Sequence, residues 1–113
     1  MATGYVVGGG GITGSFTNIT SVTEANVGAN GYYKSGNLIV INVSVRTSIS
    51  AFTDLELWNM PTGLKPSRDI IGTAYSNGAV YQIHVNTNGK VSLYGTAAQS
   101  SKTFYGQASY FTE

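Results

Sequence analysis

The sequence predicts an all-β domain, an antiparallel β-sandwich of about eight short strands in two four-stranded sheets, jelly-roll-like in arrangement. Three observations carry this. From Ser15 onward apolar residues recur at every second position, and no segment keeps i, i+3, i+4, i+7 spacing over three turns. Turn-forming pairs, Asn77-Gly78 and Asn88-Gly89 among them, punctuate the chain at short intervals. The periodic segments are rich in Val, Ile, Thr and Tyr, which suit a pleated, half-buried surface.

Residues 1–14 hold four consecutive glycines, Gly8 to Gly11. Glycine runs lose much entropy on ordering, so a flexible lead-in is expected there, with the folded domain at 15–113. No Gly-Lys-Ser/Thr follows the run, which excludes a phosphate-binding loop. The first predicted strand is 15–22, with Phe16, Asn18, Thr20 and Val22 sharing a face. The second is 29–34, around Tyr32 and Tyr33. The third, 38–49, is the strongest. Ile39, Ile41, Val43 and Val45 alternate onto a core face, while Leu38, Val40, Asn42, Ser44 and Arg46 take the other. That second face is apolar at one end, which points to partial cover by a neighbouring subunit.

The fourth strand is 54–59, with Leu55 and Leu57 inward and Glu56 and Trp58 outward. Pro61, Gly63 and Pro66 then mark a connection. A strand at 68–75 leads into the Asn77-Gly78 turn. The hairpin around Asn88-Gly89 has two registers. A two-residue loop sets Val85 opposite Ser92 and Ile83 opposite Tyr94. A three-residue loop, Thr87-Asn88-Gly89, sets Val85 opposite Val91 and Ile83 opposite Leu93. The second pairs apolar with apolar and is preferred. It places Gln82 opposite Tyr94 and His84 opposite Ser92 on the outer face. The last strand is 102–111, with Phe104, Tyr105, Tyr110 and Phe111.

Composition excludes several function classes. Six scattered Lys and Arg residues form no basic patch, so no nucleic acid is expected as partner. No apolar run reaches the roughly 18 residues that span a bilayer, so no membrane insertion is expected. There is no cysteine, which removes disulfides, thiolate catalysis and Cys-ligated zinc. A small domain without staples is expected to gain stability by self-association. Ser, Thr, Asn and Gln make up about a third of the chain, a surface suited to work outside cells.

Catalytic constellations are not specified. Asp54 and Glu56 share a strand face but read as solvated carboxylates, and no Gly-x-Ser-x-Gly elbow occurs. One histidine and no cysteine argue against a metal site; no cofactor is expected, and the protein is not expected to be an enzyme. His84 is either an exposed side chain on a sheet or a polar group in a ligand groove beside Gln82, Ser92 and Tyr94. Sugar sites use that mixture, an aromatic face with amide and imidazole groups for the hydroxyls. Trp58, the sole tryptophan, reads as core, subunit interface or ligand platform. Asp69 reads as solvated, as ion-paired or as an acceptor for sugar hydroxyls.

Three segments carry a family resemblance. Residues 31–45, GYYKSGNLIVINVSV, resemble a strand pair at the C-terminal end of tail proteins of phages infecting Gram-positive and gut bacteria. Residues 60–66, MPTGLKP, resemble the connection that follows in those proteins, and 83–94, IHVNTNGKVSLY, their penultimate hairpin. The order is the family's, and the resemblance spans residues 31–94. It implies the head, or tip, domain of a phage receptor-binding protein: a homotrimer at the virion tail, extracellular, that binds host cell-surface saccharides without catalysis. It favours Gln82 and His84 as ligand-binding residues, with Trp58 and Asp69 as further candidates; Tyr94 joins them from the hairpin register. The alternative is a structural tail-tip or baseplate module that binds other phage tail proteins.

Overall fold

A computed structural model of the chain describes residues 15–19, 25–26 and 30–112. The predicted lead-in at 1–14 lies outside the described residues, as does most of the second half of the first predicted strand. The described residues contain nine strands and no helix: β1 (Ser15–Asn18), β2 (Ala25–Asn26), β3 (Gly31–Ser35), β4 (Leu38–Ile49), β5 (Leu55–Asn59), β6 (Ile70–Ser76), β7 (Ala79–Val85), β8 (Lys90–Tyr94) and β9 (Gln99–Phe111). All pairings are antiparallel. The strands follow the order β1-β3-β4-β9-β6-β7-β8-β5, with β2 added against β4. The sheet curls into a half-barrel.

Turn chemistry explains the hairpins. Gly36, at φ +59°, takes the first position of the two-residue β3–β4 turn. Asn77 and Gly78 both have positive φ, 50° and 84°, in the two-residue β6–β7 turn, the geometry that matches strand twist. The β7–β8 loop has the three-residue form. Val85 pairs with Val91, Ile83 with Leu93, Gln82 with Tyr94 and His84 with Ser92. Gly89 supplies the left-handed residue at φ +94°, and its N–H donates to Asn86 O at 2.8 Å.

The order divides into two four-strand halves, β1-β3-β4-β9 and β6-β7-β8-β5. They join where β9 pairs with β6 at three positions: Thr73 with Gln107, Ala74 with Gly106, Tyr75 with Tyr105. A Cβ on Gly106 would lie 2.5 Å from Ala74 Cβ, so glycine allows this close crossing. One core cluster fills the inner face. Ile39, Ile41, Val43, Val45 and Phe104 come from the first half, and Tyr81, Ile83, Val85, Val91 and Leu93 from the second. Tyr81 and Phe104 meet edge to face across the divide, ring centroids 5.0 Å apart. Each fully buried side chain of this kind contributes about 1.5–3 kcal/mol. The 60–69 connection is pinned by Tyr110, whose hydroxyl donates to Leu64 O at 2.5 Å. Burial, with Tyr32 nearby, pushes that phenol up to about 12.

Two expectations are corrected. Trp58 does not face outward. The β5–β8 register shifts between Glu56 and Trp58, so Glu56 opposes Ser92 while Trp58 opposes Val91. The bulge breaks period two, and Leu57 and Trp58 are both buried, at 1% and 7% exposure. Trp58 Nε1 donates to Met60 Sδ at 3.2 Å. Arg68 and Asp69 are not strand residues: β6 begins at Ile70, and both lie exposed ahead of it.

Candidate functional site

Alternation on β7 decides what the outer face can present. Tyr81, Ile83 and Val85 point into the core, so Gln82 and His84 point out. Across the β8 ladder the outward neighbours are Tyr94 and Ser92. The Tyr94 and His84 rings stack, centroids 5.6 Å apart and 20° between planes. His84 Nε2 lies 2.7 Å from Gln82 Oε1, a hydrogen bond in which the ring nitrogen donates. His84 Nδ1 faces Asp54 Oδ1 at 3.6 Å. One imidazole is thus held by an amide, a carboxylate and an aromatic face. Its orientation is set by three partners from β7, β8 and the approach to β5. His84 is about one-third exposed and Asp54 about half, so a ligand can reach both. The His84–Asp54 contact is solvent-screened and contributes no more than about 1 kcal/mol.

Asp69 joins this site from the loop ahead of β6. Its Oδ1 accepts from Thr87 N at 3.2 Å, tying the 60–69 connection to the β7–β8 loop. Between Asp69 and His84 lies an open cavity of about 270 Å³, lined also by Asp54, Ile71, Lys90 and Ser92. Of the predicted residues, His84 and Asp69 line this cavity, and Gln82 and Tyr94 adjoin it through their contacts with His84. Trp58 stays apart from them in the core.

Asp54 and Lys90 were not singled out as binding residues in the sequence. Asp54 is thirty positions from His84 and reaches it because β5 lies beyond β8 in the sheet. The readable signal was the pairing itself: setting 54–59 against 90–94 puts Asp54 at the His84 end.

The arrangement suits recognition through hydrogen bonds. His84 Nε2 faces an amide oxygen rather than a serine or threonine hydroxyl, so the pair with Asp54 does not complete a nucleophilic triad. Among the described residues no group of three or more His, Cys, Asp or Glu side chains is placed to hold a metal ion. Comparison with protein-family models and with curated proteins finds no match to the chain.

Proposed function

We propose that this chain is a non-catalytic adhesion domain, the head of a phage tail receptor-binding protein that recognises bacterial cell-surface saccharides. The observation that carries the reading is the His84 cluster. The imidazole, stacked on Tyr94 and bonded to the Gln82 amide, borders an open cavity whose other polar walls are Asp54, Asp69, Lys90 and Ser92, so an apolar ring face adjoins mixed hydrogen-bonding groups. The proposed assembly is a homotrimer with the two halves of the curled sheet as the layers of a jelly-roll-like sandwich. The four-and-four strand order supports the layers. The trimer is supported by Phe52 and Phe111, each about two-thirds exposed or more in a domain without disulfides.

A single site of this kind would bind weakly, at about −4 to −8 kcal/mol. Three sites on a rigid trimer would raise the apparent affinity through effective concentration. A second reading, a structural tail-tip module that binds other virion proteins, draws on exposed Ile71 beside His84.

Light scattering and cell binding test both. The expected mass is three times the 11.9 kDa of the chain. His84→Ala is expected to keep that mass and to weaken binding of labelled protein to intact bacteria. A folded, trimeric His84→Ala protein that binds cells as before would remove His84 from the site. A wild-type protein that binds no cell and no glycan, but captures purified tail components, would favour the structural module.

A further inference from the structure

The outer face continues past the His84 cluster. The ladder registers align Asn42 of β4, Gln107 of β9, Thr73 of β6, Gln82 of β7 and Tyr94 of β8 in one row across the sheet. Gln107 Nε2 donates to Asn42 Oδ1 at 3.3 Å along this row. Two residues along the strands, Tyr75 pairs with Tyr105, ring centroids 6.1 Å apart and planes tilted by 45°. Both rings are substantially exposed, at 59% and 42%. Between the tyrosines and the amide row lies an open depression of about 460 Å³, lined by Asn42, Ser44, Thr73, Tyr75, Tyr105 and Gln107.

We infer that this depression is a second saccharide subsite and that the ligand is an extended, neutral stretch of polysaccharide running across the strands. The inference rests on the saccharide reading of the His84 site and names its ligand class. Length is the first argument. Gln107 and Tyr94 are three interstrand spacings apart, about 14 Å along the sheet. That is longer than one sugar ring, so a ligand that fills both places is a chain. Continuity is the second: Gln82, which holds His84, is itself the fourth member of the row.

Charge is the third argument. Every side chain lining the depression is uncharged; Arg46 and Lys102 line the adjoining open cavity beyond Tyr75 and Tyr105, so ligand groups seated against Asn42, Thr73 and Gln107 meet no counter-charge. The row chemistry disfavours a protein partner, whose apolar interface core would leave amide and hydroxyl groups unpaired. Sugar hydroxyls donate and accept at once and pair with Asn, Gln and Thr without that loss. The tilted tyrosines offer ring faces to the apolar side of a pyranose.

The test is an array of neutral bacterial envelope glycans, each at one to eight sugar units, probed with wild-type protein, Tyr105→Ala and Gln107→Ala. Affinity for wild-type protein should rise with chain length until both subsites are filled. Each variant should bind the long oligomers about tenfold more weakly (about 1.4 kcal/mol) and the one- and two-unit glycans as wild type does. Circular dichroism and light scattering confirm fold and mass. Affinity independent of length overturns this inference and leaves the His84 reading intact. No binding to any glycan overturns both. A variant that lowers the oligomeric mass makes this face a subunit contact and also overturns it. Two substitutions at separate positions keep the test decisive should one of them fail to fold.

Discussion

Trp58 offers the sharpest test of how β5 is built. Strict alternation would put its indole on the outer face, and the bulge after Glu56 puts it in the core instead. Removing about 200 Å² of indole from water contributes about 5 kcal/mol at about 25 cal/mol/Å², an upper bound because the unfolded chain already hides some of it. Trp58→Ala should therefore destabilise the domain by about 3–5 kcal/mol, cavity included. For a domain of this size that lowers the melting temperature by about 12–25 °C. Trp58→Phe keeps an aromatic ring in place but loses the Nε1 contact with Met60 Sδ and some volume, for about 1–2 kcal/mol. Because Trp58 is the sole tryptophan, its fluorescence reports on this one place. Emission should be blue-shifted and resist iodide quenching, and glycan should not move it. Red-shifted, freely quenched emission, with Trp58→Ala within about 0.5 kcal/mol of wild type, would refute the bulge and restore an outward indole.

Three further outcomes follow from the packing. The unfolded Tyr110 phenol ionises near pH 10 and the folded one near 12, so its contribution is whole below pH 10 and falls as pH rises toward 12, by about 1.4 kcal/mol per unit. Urea titrations at pH 9, 10 and 11 should show that decline, and Tyr110→Phe should show less of it. Ser76 is 1% exposed, and its hydroxyl has no hydrogen-bond partner among the described residues, so Ser76→Ala should raise stability by about 1–2 kcal/mol in calorimetry. Gly106→Ala forces a methyl against Ala74 at the β6–β9 crossing and should cost about 1–3 kcal/mol by the same measurement, whereas an unchanged melt would mean the halves do not cross so closely.

Much of the sheet was legible because its signals are local. Residues 38–49 alternate cleanly and form β4 with those bounds. The β7–β8 register followed from matching apolar pairs on one face, Ile83 with Leu93 and Val85 with Val91, and the structure has that register. The Asn77-Gly78 turn was legible from its backbone demands alone. What escaped was non-local. A bulge at Glu56 leaves no composition mark, so period two ran on through Trp58 and gave it the wrong face. The β9–β6 junction joins residues thirty or more positions apart, and pattern within a segment carries no information about which distant strand it meets. The site was half legible for the same reason. Gln82, His84 and Tyr94 meet within one hairpin, whereas Asp54 reaches them through strand order.

The centre of the candidate site, Gln82, His84, Ser92 and Tyr94, sits on strands, with Asp54 and Asp69 added from loops, and this bears on how it can work and how it can change. On β7, residues with 0–1% exposure alternate with outward ones, so Gln82 and His84 are each anchored by buried neighbours on both sides. Such a face is ordered before a ligand arrives, and little conformational entropy remains to be lost on binding. The same alternation separates the two duties of the strand. Substituting Gln82 or Thr73 leaves Tyr81, Ile83 and Ala74 in place, because outward and inward side chains share only the backbone. Exposed substitutions of that kind usually change stability by no more than about 0.5 kcal/mol. The outward side chains of this sheet are therefore free to vary row by row while the core that shapes the sheet stays constant. That is the physical condition a domain needs if its ligand is to change faster than its fold.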